Sequence, residues 1–470
     1  MRTHLFLILT AIFFEASCAS VRDAAGIVDP ATHGVGTPAS PAAIWSAPAN
    51  AVPPPVPRPS DIVLPPAGAP LELAQIVDLA LSNNPLTRTT WLQTRISEAN
   101  LGSARAAYLP TIDLDASLTH ARTVTGTATT LNGPALSLDY LLFDFGGRSA
   151  AAEAARQTLI AANYSHNQAI QDVILDVEEA YYDYLAAKAL LTAQDATIKE
   201  RQTSLNSADA RHRAGVATIA DVLQARTALS QAQLNYETID GNLHRLQGTI
   251  ATLIGVPAPT SFAVGELPLD VPTQQVSDAV EALIARAVSE RPDLAAARAE
   301  VERARARVQV VRAQGLPSVG LGASVGPLFT DRLSQHFTNY SAGVSLHVPL
   351  FTGFRNTYDV RAAQIETQLA AENARGIEQQ IDLQVWTSYY ALQTAMQRLK
   401  TSRDLLRDAT ESVDVASGRY RAGIGNILDL LTAQAALENA RAEEVQARTD
   451  WFLSLAQLSH DTGTLTPQGK

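Results

Sequence analysis

The spacing of apolar residues predicts two very long helices. Residues 148–214 contain neither Gly nor Pro, and apolar residues recur at steps of three or four, as expected for one continuous helix. A stretch of the same character runs from about 356 to 421. Gly376 and Gly418 interrupt it, and each costs about 1 kcal/mol relative to alanine. That cost is small over such a length, so we predict a helix here too.

Shorter helical segments stand before and after each long one. Their predicted bounds are about 85–107 and 218–254 in the first half, and 292–314 and 426–460 in the second. At about 1.5 Å per residue, one short pair placed end to end matches a long helix, which favours a two-layer bundle. Alanine is abundant along these helices and leaves thin cores. We therefore expect packing against further copies or chains.

Between the short and the long helix of each half, the period of apolar residues changes to two. In residues 111–119 the even positions are apolar and the odd positions polar, and residues 136–140 alternate in the same way. Residues 319–325 and 344–348 repeat the pattern. We interpret these segments as strands with one apolar face. Such strands fit either a sheet packed on helices or an outer membrane, with lipid on one side and water on the other.

The membrane interpretation sets the number of strands that are needed. Four strands cannot close a barrel around water, and open strand edges are not tolerated in lipid. Three chains with four strands each would supply twelve. The connections at about 121–134 and 327–340 would then be extracellular loops.

The chain contains the same order of elements twice. RHRAGVATIADVLQAR at 211–226 matches RYRAGIGNILDLLTAQ at 419–434 in eight of sixteen positions. YLPTIDLDASLT at 108–119 is likewise answered by GLPSVGLGASVG at 315–326. Such pairs lie 207 or 208 residues apart. A constant offset that covers helix, strand and turn segments indicates a tandem duplication.

The N-terminus has the layout of a secretory signal. A basic start is followed by an apolar run from Leu5 to Phe14 and then by small residues. The run is too short to span a bilayer as a permanent helix. The sole cysteine, Cys18, stands where such a signal is cleaved, and it is either acylated, as in bacterial lipoproteins, or lost with the signal. Twelve of the 24 prolines follow between Val21 and Pro70, which is typical of an extended tether.

The duplication and the N-terminal signals divide the chain into six segments. We predict a signal peptide at 1–18, a tether at 19–70, a first repeat at 71–256, a linker at 257–275, a second repeat at 276–463 and a tail at 464–470.

Composition and charge exclude several classes of function. A net charge of −11 argues against nucleic acid as a partner, because phosphate binding needs clustered Lys and Arg. The nine histidines are scattered, and no nucleophile, metal or cofactor motif is found, so we predict no enzyme activity, metal or cofactor. The acidic cluster at 172–183 could suggest paired catalytic carboxylates. On so long a helix we interpret it as a solvated face.

A glycine-to-aspartate turn follows each long helix. Gly215 and Gly423 fit the left-handed position that closes a helix, while Thr218 and Asn426 fit the N-cap of the next one. The sequence therefore predicts two helical hairpins of the same construction.

The aspartates of the two turns, Asp221 and Asp429, have two interpretations. Each falls at the third position of its helix, where a carboxylate interacts favourably with the helix dipole. Alternatively, the hairpin ends lie at one tip of a tunnel, where threefold symmetry would multiply two carboxylates to six. A ring of acid at a constriction would select cations.

On these features, the sequence resembles the TolC-like outer membrane efflux protein family over about residues 71–463. The resemblance is carried by the duplication, the inserted strand pairs, Pro110 and Pro317 before the strands, the LFDFGGR and PLFTGFR segments after them, and the two turns. It implies a mainly α fold with membrane β: a homotrimer whose twelve-stranded outer-membrane β-barrel is continued by a long periplasmic α-helical barrel. Such proteins form the exit duct of a tripartite efflux pump or type I secretion system.

The resemblance also implies partners and a location. The protein would lie in the outer membrane, in contact with its lipid, and extend into the periplasm. It would dock onto a periplasmic adaptor (membrane fusion) protein that is joined to an inner-membrane transporter of the RND, ABC or MFS type. The competing interpretation is a periplasmic coiled-coil scaffold or adaptor without a membrane barrel, against which the apolar strand faces argue.

By resemblance, the hairpin tip is both the gate and the docking surface. Tyr420 and Asp429 match gate residues of the family, and Asp221 is the counterpart of Asp429 in the first repeat. The sequence departs from the family at Gly425, where a gating arginine can occur, and at Thr432, where a second carboxylate can occur.

Four further tip residues receive expected roles. Gly215 and Gly423 form the hairpin turns that would engage the adaptor. Arg213 and Arg421 adjoin these glycines and would brace the closed tip or contact the adaptor, although cations at a helix C-terminus also interact favourably with its dipole.

Overall fold

The computed structural model describes residues 70–122, 126, 128–269, 271, 279–330 and 337–466. The predicted signal peptide, Cys18 and all of the predicted tether except Pro70 lie outside these residues, as do most of 270–278 and the tail from 467 onward.

The described residues form helices and strands in one order that occurs twice. The first set is α1 (Leu73–Asn83), α2 (Pro85–Ala106), β1 (Thr111–Arg122), β2 (Ala128–Phe143), α3 (Gly147–Arg213) and α4 (Ile219–Leu253). The second set is α5 (Val280–Glu290), α6 (Pro292–Ala313), β3 (Ser318–Thr330), β4 (Phe337–His347), α7 (Arg355–Arg421) and α8 (Ile427–Asp461).

Both long helices are confirmed. The helices α3 and α7 each have 67 residues, and Gly376 and Gly418 lie within an unbroken α7. At about 1.5 Å per residue, each helix is about 100 Å long. The first-repeat helix α2 starts with Pro85 directly after the N-cap Asn84, whose side chain accepts from the Leu86 N–H at 2.8 Å.

Two features differ from the sequence-based prediction. The short helices α1 and α5, with 11 residues each, were not predicted. The strands are longer than expected and take up much of the predicted loops at 121–134 and 327–340, since β1 ends at Arg122, β2 begins at Ala128 and β3 ends at Thr330. Backbone pairing continues beyond the alternating segments, as far as Arg122 with Ala128 and Leu328 with Phe337.

The four strands form one antiparallel sheet in the order β1-β2-β3-β4. Leu114 pairs with Leu136, and Leu321 pairs with Val344, so the apolar side chains of neighbouring strands share one face. Leu114 and Val344 are exposed. Among the described residues, β1 and β4 each pair on one side only.

The helices pack around two apolar clusters at mid-length. One contains Val177 of α3, and the other contains Val385 of α7 and Trp451 of α8. The ring of Tyr182 stacks on that of Phe452 with centroids 4.6 Å apart. This contact joins α3 of the first repeat to α8 of the second.

A buried arginine also links the repeats. The side chain of Arg201 in α3 is almost fully buried. Its guanidinium donates to the Leu431 carbonyl and to Gln434 Oε1, both at 3.2 Å, and to Glu438 Oε2 at 3.3 Å. Because all three acceptors lie on α8, this network fixes the register between the two repeats.

The acidic face of α3 is largely as predicted. Asp176, Glu179 and Asp183 are exposed, which confirms a solvated face for these three, whereas Glu178 is half-buried and burial raises its pKa. Asp172 differs, because its Oδ1 lies 2.9 Å from Nε2 of His460 at the end of α8. None of the described helices is both long enough and apolar enough to cross a membrane.

Candidate functional site at the paired hairpin tips

Each long helix ends in the same closed turn. Gly215 and Gly423 have φ values of 75° and 79°, the left-handed conformation that the sequence predicted. After α3, the Gly215 N–H donates to the His212 carbonyl at 2.9 Å and the Val216 N–H to the Arg211 carbonyl at 3.0 Å. The corresponding bonds close α7. This pair of bonds is a Schellman motif and satisfies the last carbonyls of each helix.

The next helices begin at the predicted caps. Thr218 Oγ1 accepts from the Asp221 N–H at 3.3 Å, and Asn426 Oδ1 accepts from the Asp429 N–H at 2.7 Å. Both caps satisfy N–H groups that have no partner within the helix. In the first turn, the Thr218 N–H also donates to Asp221 Oδ2 at 2.9 Å, which completes a reciprocal capping box.

The two aspartates consequently differ. The Asp221 carboxylate is half-buried and engaged in the capping box. The Asp429 side chain is exposed, and its carboxylate has no hydrogen-bond or ion-pair partner among the described residues. Asp429 is therefore the carboxylate that remains available at the tip.

The two hairpin ends pack against each other. Their apolar cluster consists of Ala208, Val222, Ala225, Tyr420, Ile427 and Leu430. The aromatic ring of Tyr420 is its largest member, and this residue is buried. The Tyr420 hydroxyl has no hydrogen-bond partner among the described residues. Burial raises the pKa of Tyr420, as does the charge of Asp221, against the opposing effect of Arg211, so the phenol is neutral.

Arg211 makes the polar link between the hairpins. Its guanidinium lies 4.8 Å from the centre of the Tyr420 ring, and Nη1 donates to the Tyr420 carbonyl at 2.6 Å. A side chain of α3 thus caps the C-terminus of α7 and holds its aromatic ring by a cation–π contact. Sequence reasoning did not select Arg211, although the repetition of arginine in RHRAG and RYRAG was a signal for it.

The arginines that were expected to brace the tip do not cross between the hairpins. Arg213 pairs with Asp209 of its own helix at 3.1 Å, and Arg421 Nε donates to the Ser417 carbonyl of its own helix at 3.4 Å. Both are exposed. Within the chain, the side chain that joins the hairpins is that of Arg211. It lies two residues before Arg213 and faces the neighbouring hairpin, whereas Arg213 faces solvent.

The departures from the family pattern also have a structural setting. Gly425 packs closely on the end of α7: a Cβ atom there would lie 3.1 Å from Cβ of Arg419 and from the Tyr420 nitrogen. An arginine at this position would force the turn to move. Thr432 is exposed on α8.

An open groove of about 400 Å³ lies beside the second hairpin. Its charged lining is formed by Asp408, Glu411, Arg419 and Asp429. Three of these four are carboxylates, so the groove presents a net negative surface next to the tip. In the described part of the chain, no group of three or more His, Cys, Asp or Glu side chains is placed to hold a metal ion.

Replacing Gly423 with valine is expected to distort the second turn. A β-branched residue at φ 79° costs about 1–3 kcal/mol, because its Cβ is strained in the left-handed region. Amide hydrogen exchange should accelerate across 424–428. Gly376→Ala is the matched control, since Gly376 lies inside α7 with open space around it and should gain about 1 kcal/mol. Wild-type exchange at 424–428 in Gly423→Val would contradict a strained turn.

Comparison with known proteins identifies relatives over nearly the whole chain. The family model described as "Outer membrane efflux protein" matches residues 76–256 and 283–464. Protein CyaE of Bordetella pertussis is 31% identical over 458 residues, which cover 93% of both chains. The pyoverdine export outer membrane protein OpmQ of Pseudomonas aeruginosa is 28% identical over 426 residues, covering 84% of both.

A solved structure has the same fold. The outer membrane protein VceC of Vibrio cholerae superimposes with a TM-score of 0.75 at 21% identity, and the match covers 83% of this chain and 96% of that chain. Both sets of helices and strands described above therefore belong to a fold found in outer membrane proteins.

Proposed function

The chain belongs to the outer membrane efflux protein family, and we propose on this premise that three copies form a passive outer-membrane channel. This channel would be the exit duct of a tripartite efflux pump or type I secretion system, with no catalysis of its own. The observation that carries the proposal is the continuity of an antiparallel sheet with an exposed apolar face and helices about 100 Å long that end in closed hairpins. The protein lies in the outer membrane and extends into the periplasm.

The trimer is supported by an exposed apolar stripe on α7. The residues Ile365, Leu369, Leu383, Trp386 and Tyr390 lie along one side of this helix and are between 44% and 64% exposed. The opposite side of α7 is buried against the rest of the chain. A helix with two apolar faces needs a second partner, and an exposed stripe of this length marks a protein interface.

The other edge of the chain offers a matching surface. The helices α2 and α4 also expose apolar side chains, namely Trp91, Leu92, Ile96, Leu223 and Leu234. Each of these two surfaces continues into an edge strand, since α2 leads into β1 and β4 leads into α7. If β4 and α7 of one copy join β1 and α2 of the next, the unpaired backbone groups of both edge strands find partners and both apolar helix surfaces are covered. Such a head-to-tail contact closes into a ring, and three copies supply twelve strands.

The gate of the proposed channel is the hairpin tip. Tyr420 and Asp429 would stand at the constriction, with Asp221 supporting the first hairpin through its capping box. Three copies bring three exposed Asp429 carboxylates to one aperture. A ring of negative charge favours cations, as in other pores lined by carboxylates.

Replacing Asp429 with asparagine is expected to reduce cation selectivity. The substitution removes the charge and keeps the size of the side chain. The reversal potential in a planar bilayer under a KCl gradient should move toward zero. Asp221→Asn is the matched control and should leave selectivity nearly unchanged, since the asparagine oxygen can still accept from the Thr218 N–H and only the favourable charge–dipole interaction, about 0.3–1 kcal/mol, is lost. Equal shifts in both variants would contradict the assignment of the gate charge to Asp429.

The turns beyond the gate form the proposed adaptor-docking surface. Gly215 and Gly423 give the two turns one shape, and Val216 and Ile424, which follow them, are 65% and 72% exposed. Exposed apolar tips of this kind fit a helical partner, here the periplasmic adaptor that joins the channel to an inner-membrane RND, ABC or MFS transporter. Arg213 and Arg421 flank the tips and would contact acidic groups of the adaptor.

The proposal extends to the segments before the repeats. Residues 1–18 would direct export, Cys18 would carry the lipid that anchors the mature N-terminus, and 19–70 would act as the tether. The repeats at 71–256 and 276–463 would form one unit of the wall, joined through 257–275.

A further inference from the structure

Arg211 and Arg419 occupy equivalent positions in the two repeats but have different surroundings. Arg211 is half-buried and reaches from α3 to the end of α7. Arg419 is exposed beside the groove at the second hairpin, and none of the described residues accepts a hydrogen bond from its guanidinium. A cation that is used in the first repeat is thus left without a partner in the second.

The carbonyl groups of Tyr420 and His212, which occupy equivalent positions near the ends of α7 and α3, also differ in their hydrogen bonds. The Tyr420 carbonyl accepts both the Gly423 N–H at 3.1 Å and Nη1 of Arg211 at 2.6 Å. The equivalent His212 carbonyl accepts backbone N–H groups alone, with Gly215 at 2.9 Å. His212 is the counterpart of Tyr420 in the first repeat, and its Nδ1 lies 3.0 Å from the Ala217 carbonyl of its own turn.

The Arg419 guanidinium, a donor without an acceptor among the described residues, and the His212 carbonyl, which accepts from no side chain there, therefore lie on different hairpins of the same chain. Arg211 points from the first hairpin to the second. Arg419 stands at the equivalent position of the second hairpin, so the exposed face that carries it corresponds to the face by which the first hairpin contacts the second. In a ring, this face would lie against the hairpin that follows. In a closed ring, that next hairpin is the first hairpin of a second copy of this chain.

We propose that Arg419 of one copy caps the C-terminus of α3 in the next copy, donating to the His212 carbonyl and lying over the His212 ring. This inference rests on the trimer of the proposed function and names a contact that closes its tip. We call each contact of an arginine with the end of the neighbouring hairpin a latch. The six hairpins of the ring would be joined by two alternating latches, Arg211 to Tyr420 within each chain and Arg419 to His212 between chains.

The two latches would differ in strength. A guanidinium over a phenol ring gains a cation–π contact, and Tyr420 is buried in the apolar cluster of the tip. An imidazole is a poorer platform for a cation, and His212 lies outside that cluster. The latch between copies is the weaker one, so the tip opens along the seams between chains while each pair of hairpins moves as a unit.

Cross-linking tests the proximity that this latch requires. His212→Cys with Arg419→Cys in one chain, treated with a short bismaleimide in the purified trimer, should give covalent dimers and trimers on a denaturing gel. The single variants control for Cys18 and should stay monomeric. Arg211→Cys with Tyr420→Cys is the positive control and should link within one chain, because Arg211 contacts Tyr420 there.

The outcomes separate the latch from the channel. Covalent dimers in the double variant support the latch. A native trimer that links at Arg211 and Tyr420 but gives no covalent dimer through His212 and Arg419 overturns the latch and leaves the channel intact. A protein that forms no trimer overturns both.

Channel recordings test whether the contact holds the tip closed. Arg419→Ala should raise the spontaneous open fraction about tenfold or more, the size expected for the loss of one hydrogen bond from a charged group. His212→Tyr should lower the open fraction, because Arg419 would then lie over a phenol ring, as Arg211 lies over the ring of Tyr420 within each chain. An open fraction that is unchanged in both variants would overturn the latch.

Discussion

Replacing Leu383 with glutamate is expected to convert the trimer into monomers. Leu383 is 64% exposed in the single chain and lies in the middle of the apolar stripe on α7. In the trimer this stripe would be buried against the next copy. An unpaired carboxylate buried at each interface costs several kcal/mol, about 2–5, in addition to the apolar contact that is lost. Light scattering of the purified protein in detergent should give the mass of one chain.

Lys400→Glu provides the matched control for this variant. Lys400 is exposed on the same helix but outside the stripe, so the same carboxylate should be tolerated there. The control should elute as a trimer. A Leu383→Glu protein that also elutes as a stable trimer would show that α7 does not form the interface.

Removing the His460 imidazole is expected to destabilise the junction between the repeats. Its Nε2 lies 2.9 Å from Asp172 Oδ1, and its Nδ1 lies 3.2 Å from Asp461 Oδ1. Carboxylates only accept hydrogen bonds, so both ring nitrogens must carry protons. Burial lowers the pKa of His460, but the hydrogen bonds and charges of Asp172 and Asp461 outweigh it and raise the pKa to about 9.

The direction of the pH effect follows from this pKa. The folded pKa of about 9 exceeds the ordinary value of 6.5, so the imidazolium contributes its full stabilisation below pH 6.5 and loses it as the pH rises toward 9. The contribution is about 2–3 kcal/mol after allowance for solvent screening. His460→Ala should lose this amount at pH 6, and it leaves the buried Asp461 with Gln457 as a hydrogen-bond donor but without its cationic partner.

Urea unfolding at two pH values checks both statements. The urea midpoint of the wild type should fall between pH 6 and pH 10, and the fall attributable to His460 should be missing in His460→Ala. Ser459→Ala is a control next to His460, since the Ser459 hydroxyl donates to the Leu455 carbonyl of its own helix at 2.9 Å and carries no charge. A midpoint in His460→Ala equal to that of the wild type at pH 6 would contradict the charged junction.

The parts of the fold that the sequence predicted are those governed by local patterns. The long helices follow from periodicity without Gly or Pro, and the turns follow from Gly215, Gly423 and the caps after them. The helices α1 and α5 were missed because they are short and each is followed within two residues by a proline, which suggested a boundary and not a second helix.

The contacts between repeats could not be predicted. Asp172 and His460 are 288 residues apart in sequence, and no local signal joins them. The same holds for Arg211 and Tyr420, which are 209 residues apart. The repeat pattern shows which residues correspond in the two halves of the chain, such as Arg211 and Arg419, but it does not show which of them contact each other. Only the packing of the two hairpin ends shows that the Arg211 side chain crosses from one hairpin to the other.

The most direct test of the central claim is a single preparation assayed for location, mass and conductance. The protein extracted from the outer membrane fraction should have the mass of three chains and should produce ion-conducting steps in a planar lipid bilayer. A soluble monomer that leaves the bilayer non-conducting would contradict the proposed channel.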